Sequence, residues 1–151
     1  MKITISETPW VKTLFGLVKT HDPSRSYGEE IVGLLGQVWE AVRKNQIATT
    51  GINHVIYGEK GEYFCGLECT GQTQPVPGLI QRQVTVERYA YSKLIGPYSE
   101  IPRVYTEMHA EIKRLALRAV PPAVEVYGHW NDDPSRLETE ILIHVSGPAT
   151  S

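Results

Sequence analysis

Acidic and aromatic side chains coincide on two strand-like runs of this 151-residue chain. In Thr139-Glu140-Ile141-Leu142-Ile143-His144-Val145, alternation along a strand gives Glu140, Leu142 and His144 one face and Thr139, Ile141, Ile143 and Val145 the other. The second set is apolar enough to lie under a helix, while the first sets a carboxylate beside an imidazole. Tyr63-Phe64-Cys65-Gly66-Leu67-Glu68-Cys69 divides in the same way, with Phe64, Gly66 and Glu68 directed away from the helix side. If Tyr57, Tyr127 and Trp130 curl over from neighbouring hairpins, each run places a carboxylate, Glu140 or Glu68, among aromatic rings. Ring faces attract positive charge and a partly desolvated carboxylate orients it, so a cleft of this kind suits a flat or cationic organic molecule. Trp39, Tyr91 and Tyr98 are further aromatic candidates for its lining.

Other chemistries find less support. His21, His54, His109, His129 and His144 are scattered, with no partner three or four residues away, so neither a metal nor a cofactor is expected. Gly58, Gly61 and Gly66 read as turn and bulge glycines, because no lysine-serine pair or helix start follows them as in a phosphate loop. Cys65 and Cys69 lie four apart on one strand, about 13 Å by strand rise, which is beyond disulfide reach.

The elements that must position these side chains occur twice. In the first half a strand over Val11 to Lys19 precedes a helix from Glu29 to Lys44, whose stripe is Ile31, Leu34, Leu35, Val38 and Val42. Gly33 and Gly36 interrupt that helix and hint at close backbone packing. Strands at Asn53–Tyr57 and Tyr63–Cys69 follow, joined by a Gly58-Glu59-Lys60-Gly61 turn. The second half repeats the order: a strand over Thr85 to Leu94, a helix from Pro102 to about Arg118 with the stripe Val104, Tyr105, Met108, Ile112 and Leu115, then strands at Val124–Tyr127 and Thr139–Val145. Val55-Ile56-Tyr57-Gly58 also parallels Glu125-Val126-Tyr127-Gly128. The expected fold is therefore α+β: duplicated β-α-β-β units about a pseudo-two-fold axis, antiparallel sheet, helices on one face and a central ligand cleft. Repeat 1 covers about residues 10–71, a linker 72–84 and repeat 2 about 85–147 of one domain, 1–151.

Composition narrows the partners. With 41% hydrophobic and 21% charged residues the chain can bury a core. A formal net charge of −2 removes the general attraction on which nucleic-acid binding relies, so no direct nucleic-acid partner is expected. The start Met1-Lys2-Ile3-Thr4-Ile5 lacks an apolar h-region, and no run reaches the roughly 18 apolar residues of a membrane helix. A cytoplasmic protein without a membrane partner is expected, and exposed edge strands make a homodimer plausible.

Tyr89-Ala90-Tyr91-Ser92-Lys93-Leu94-Ile95-Gly96-Pro97-Tyr98-Ser99-Glu100-Ile101-Pro102, a helix, then Glu125-Val126-Tyr127-Gly128 and Leu137-Glu138-Thr139-Glu140-Ile141-Leu142-Ile143-His144-Val145 resemble the GyrI-like small-molecule-binding domain. That domain is also the effector-binding module of AraC-type and MerR-type multidrug regulators. The resemblance runs from about Trp10 to Val145. It implies a central aromatic-lined pocket with an acidic residue from the last-strand region, and binding of lipophilic, often cationic compounds. Carried over by position, Glu140 matches the acidic residue ahead of the final apolar strand and Tyr98 the aromatic after the glycine turn. His144 stands where the family often has proline, and no DNA-reading segment fits outside the domain, so a stand-alone binding protein is expected. The resemblance also implies two alternatives: hydrolysis of cyclopropane rings in DNA-alkylating compounds, with Glu140 as the catalytic carboxylate, and inhibition of gyrase by protein contact.

Overall fold

Both apolar stripes form helices in a computed structural model of the chain, which describes residues 2–147. In chain order the elements are β1 (Ile3–Ser6), β2 (Trp10–Thr20), α1 (Tyr27–Lys44), β3 (Thr49–Tyr57), β4 (Glu62–Cys69), β5 (Ile80–Val86), β6 (Tyr89–Ile95), α2 (Ile101–Arg114), β7 (Arg118–Tyr127) and β8 (Glu138–Ser146). They form two compact units, Val11–Thr85 and Met1–Trp10 with Val86–Ser151, called here the first-repeat and second-repeat units. The architecture is α+β with antiparallel sheet, as the repeated order of elements implied. Among the described residues no helix is long and apolar enough to cross a membrane.

In the first-repeat unit the strands run in the order β3-β4-β2-β5. Ser26 starts α1, its hydroxyl accepting the Glu29 N–H at 3.1 Å and so satisfying one of the unpaired donors of the first turn. Val38 and Val42 of α1 pack with Phe15, Leu67, Cys69 and Val76. Gly33 and Gly36 do not mark close packing: a Cβ added at either would meet nothing within 4 Å. The close approach is between strands, where Gly16 of β2 faces Gly66 of β4. A Cβ on Gly16 would lie 1.9 Å from the Cys65 carbonyl oxygen, and one on Gly66 would lie 2.6 Å from the Phe64 ring. The pair thus lets two backbones meet and gives Phe64 a flat floor.

In the second-repeat unit the order is β1-β6-β8-β7. Val104, Met108 and Ile112 of α2 pack on Ala90, Leu94, Ile141, Ile143 and Val145, so the alternation read along β8 holds: its odd-numbered residues face the helix. Leu115, placed in the stripe by spacing, is 38% exposed, and Leu117 takes its part in the core because the helix ends at Arg114. β7 carries Pro121 and Pro122 within a shift of register between Ala119 and Ala123, where residues without an N–H are tolerated.

Three features were not foreseen. Ile3–Ser6 is a strand, paired antiparallel with Tyr89–Ser92. The strand expected over Thr85 to Leu94 is two, β5 and β6, separated by Glu87 and Arg88. The latter part of the stretch read as linker, from Ile80 onward, belongs to β5.

Candidate functional site

The strand register decides which carboxylate meets which ring. Glu125 of β7 pairs with Ile141 and Tyr127 with Thr139, so both lie on the α2 side of the sheet. Tyr105, four residues after Ile101 and three before Met108 on α2, reaches the same place from above. Its hydroxyl donates to Glu125 Oε2 at 2.7 Å, and the Tyr127 hydroxyl donates to Glu125 Oε1. Glu125 is buried at 4% exposure, so its carboxylate is gripped by two phenols in a largely dry setting.

Aromatic rings continue outward from that carboxylate. Tyr98, in the 3-10 turn before α2, meets Tyr127 edge to face with ring centroids 5.4 Å apart. Trp130 is tilted against Tyr98 at 6.5 Å and remains 71% exposed, its indole N–H donating to Asp132 Oδ1 at 3.1 Å. Burial pushes the Tyr98 hydroxyl above the ordinary phenol range, so it stays protonated at neutral pH. The His109 ring stacks with Tyr105, the centroids 6.3 Å apart.

Glu140 and Tyr91 occupy the opposite face of the same sheet. The Tyr91 hydroxyl donates to Glu140 Oε1 at 2.5 Å, and burial, reinforced by that carboxylate, raises its proton affinity well above that of a free phenol. Lys93 pairs with Glu138 at 2.6 Å, and both that bond and the nearby Glu140 charge hold its ammonium protonated. Leu142 shares this face and is 1% exposed. Tyr127 therefore does not stand beside Glu140 as alternation along β8 alone suggested; the β7 to β8 pairing puts its ring on the helix side.

In the first-repeat unit the sequence candidates are dispersed. Glu68 pairs with Lys12 at 3.2 Å, both about one third exposed. Phe64 is fully buried beneath the Arg82 guanidinium, 5.0 Å above its ring. Trp39 donates its indole N–H to Asn53 Oδ1 at 2.9 Å and packs beside the α1 core. Tyr57, paired with Tyr63 across the hairpin, lies on the helix side, against Tyr27. Among the described residues no cluster of three or more His, Cys, Asp or Glu side chains is arranged to hold a metal ion.

Alternation along the strands points to Glu140 and Glu68 and not to Glu125, which lies in the Glu125-Val126-Tyr127-Gly128 segment. The signal was the Glu-x-Tyr spacing, which puts carboxylate and phenol on one strand face. Tyr105 was read only as part of the helix stripe.

Residues 1–146 match the GyrI-like small molecule binding domain. The chain belongs to that family. This GyrI-like chain is similar in fold to SAV2435 bound to tetraphenylphosphonium, with a TM-score of 0.65 and 18% identity over 97% of this chain and 95% of that one. It is also similar to the EcmrR C-terminal domain, with a TM-score of 0.73 and 17% identity over 96% of this chain and 97% of that one. A hydrolase from Listeria innocua shares the fold at a TM-score of 0.61 and 11% identity, over 96% of this chain and 92% of that one. No curated protein matches the sequence. As a GyrI-like domain the chain is a small-molecule-binding module.

Proposed function

We propose that this GyrI-like domain binds lipophilic organic cations, with Glu125 as the charge, Tyr105 and Tyr127 as its holders, and Tyr98 and Trp130 as ring walls. The observation that carries the reading is the buried Glu125 carboxylate held by two phenol hydroxyls. A neutral hydroxyl steadies a carboxylate without cancelling its charge. Rings beside such a charge offer a cation both dispersion and quadrupole attraction, best from tryptophan. Glu140 is the alternative carboxylate, but it already has the Lys93 ammonium nearby. Phe64, too, already carries a cation over its ring, from Arg82. Tetraphenylphosphonium in SAV2435 supports the ligand class.

The test compares two probes of one shape and opposite charge by titration calorimetry. Tetraphenylphosphonium is expected to bind at least about tenfold tighter than tetraphenylborate, because a single favourable charge contact in a part-buried site contributes about 1.4 kcal/mol or more. Equal affinities, or preference for the borate, would remove the carboxylate from the reading.

Hydrolysis would use the same carboxylate to hold a water against an electrophilic carbon. Incubation with a cyclopropane-bearing alkylator followed by mass spectrometry decides it. A water adduct above background that disappears in Glu125→Gln would add catalysis to binding, and no adduct would leave binding alone.

A further inference from the structure

The first-repeat unit contains a carboxylate and an imidazole that the cation site does not use. Glu30, in the first turns of α1, has a side chain with no exposed surface. One of its oxygens accepts from His21 Nδ1, both lie 3.3 Å from the Asp22 N–H, and the Lys19 ammonium stands 3.6 Å away. Burial alone would raise the Glu30 carboxyl, but the His21 bond, the Asp22 N–H and the Lys19 charge together hold it below the ordinary range, so it is ionised at neutral pH. An ionised carboxylate can only accept, so the ring proton of neutral His21 sits on Nδ1 and the lone pair on Nε2.

His21 is fixed on three further counts. Its backbone N–H donates to the Gly61 carbonyl at 2.8 Å. Its ring lies flat on Tyr27, with centroids 3.7 Å apart and planes 10° from parallel. Tyr27 in turn makes T-shaped contacts with Tyr57 and Tyr63, with ring centroids 5.7 and 5.8 Å away. The side chain of His21 keeps 20% of its surface exposed, and among the described residues Nε2 has no hydrogen-bond partner. The Glu30 carboxylate therefore fixes the direction of the imidazole through Nδ1, and Nε2 is the nitrogen it leaves for another partner. Orientation of a base by a third group, with its reactive nitrogen accessible, is what general-base catalysis requires.

We propose that His21 is a general base, positioned by Glu30, for hydrolysis of small aryl esters at the surface of the first-repeat unit. Tyr27, 38% exposed, gives the aryl group an aromatic neighbour, and the Lys19 ammonium, its side chain 40% exposed, stands 3.6 Å from the positioning carboxylate of Glu30. His21 Nε2 takes a proton from water as the water oxygen bonds to the ester carbonyl carbon. The tetrahedral adduct then breaks its bond to the aryloxide, which leaves with the proton returned from Nε2. Ester and water become acid and phenol, with no redox partner. His21 is the catalytic residue here and Glu30 a positioning residue.

The experiment follows nitrophenolate release from 4-nitrophenyl acetate by the full chain. Wild-type protein is expected to exceed an equal concentration of free imidazole. His21→Asn is expected to lose about a hundredfold in kcat/KM, the low end for a general base. His129→Asn, an exposed histidine elsewhere, should match wild type. Glu30→Gln should lower kcat with little change in KM. Should that variant not fold, nitrogen NMR of the wild-type imidazole gives a separate reading, with the proton expected on Nδ1. The proposal is overturned if wild type does not exceed imidazole, if His21→Asn retains the wild-type rate, or if the His21 proton resides on Nε2. Tetraphenylphosphonium affinity should not change in His21→Asn, which separates this proposal from the Glu125 reading.

Discussion

Replacing Glu125 by Gln tests charge recognition with the shape of the site kept. In water-poor surroundings with an effective dielectric of about 20, a cation some 6 Å from a carboxylate gains roughly 3 kcal/mol. Part of this is returned when the carboxylate and the ligand lose solvent, so a loss of about tenfold to a hundredfold in affinity for tetraphenylphosphonium is expected on Glu125→Gln. Stability should change little. The glutamine oxygen can still accept from one of the two phenols, and the other hydroxyl can rotate to accept from the new amide. Losing a charge-assisted bond is offset by no longer burying a charge, and a net change within about 1 kcal/mol moves Tm by about 2–4 °C in a chain of this size. Calorimetric titration and a thermal scan, run side by side with Glu140→Gln, give the decision. Glu140→Gln should alter affinity less than about threefold on this reasoning. An unchanged affinity in Glu125→Gln, or a tenfold loss in Glu140→Gln instead, would refute it and move the site to the Tyr91 face.

Three further predictions concern the scaffold. Gly16→Ala must push its new methyl against the Cys65 carbonyl, and should destabilise by about 3 kcal/mol or more in urea unfolding, since overpacking against backbone cannot be relieved by a rotamer change. Ser26→Ala removes the cap of α1 and should cost about 1 kcal/mol by the same measurement. Because the folded state holds the Glu30 carboxyl below its ordinary value of 4.5, its contribution is fully present above the unfolded pKa and is lost as pH falls through the folded one. Stability should therefore fall as the pH drops below the ordinary carboxyl value of 4.5, and Glu30→Gln should flatten that fall.

Much of the scaffold was legible in the sequence because periodicity is a local property. The Val104, Met108 and Ile112 spacing marked the buried side of α2, and strict alternation along β8 separated Ile141, Ile143 and Val145 from Glu140, Leu142 and His144. Pairing between distant segments was not legible: nothing local tells Ile3–Ser6 that it will join β6. The site suffered most from this. Which face Glu125 and Tyr127 take depends on the register of β7 against β8, and the register shift beside Pro121 and Pro122 hides it from simple counting. Tyr105 fitted an apolar stripe so well that its hydroxyl, the part that meets Glu125, went unread. His21 and Glu30 are nine positions apart across a turn, a spacing that carries no pattern of its own.

The most direct test of the Glu125 account is to locate the bound cation. Intermolecular nuclear Overhauser effects between the phenyl protons of tetraphenylphosphonium and the protein would do so in solution. Contacts to the rings of Tyr105, Tyr127 and Tyr98 are expected. Contacts to Tyr91 and Leu142, with none to Tyr105 or Tyr127, would contradict it.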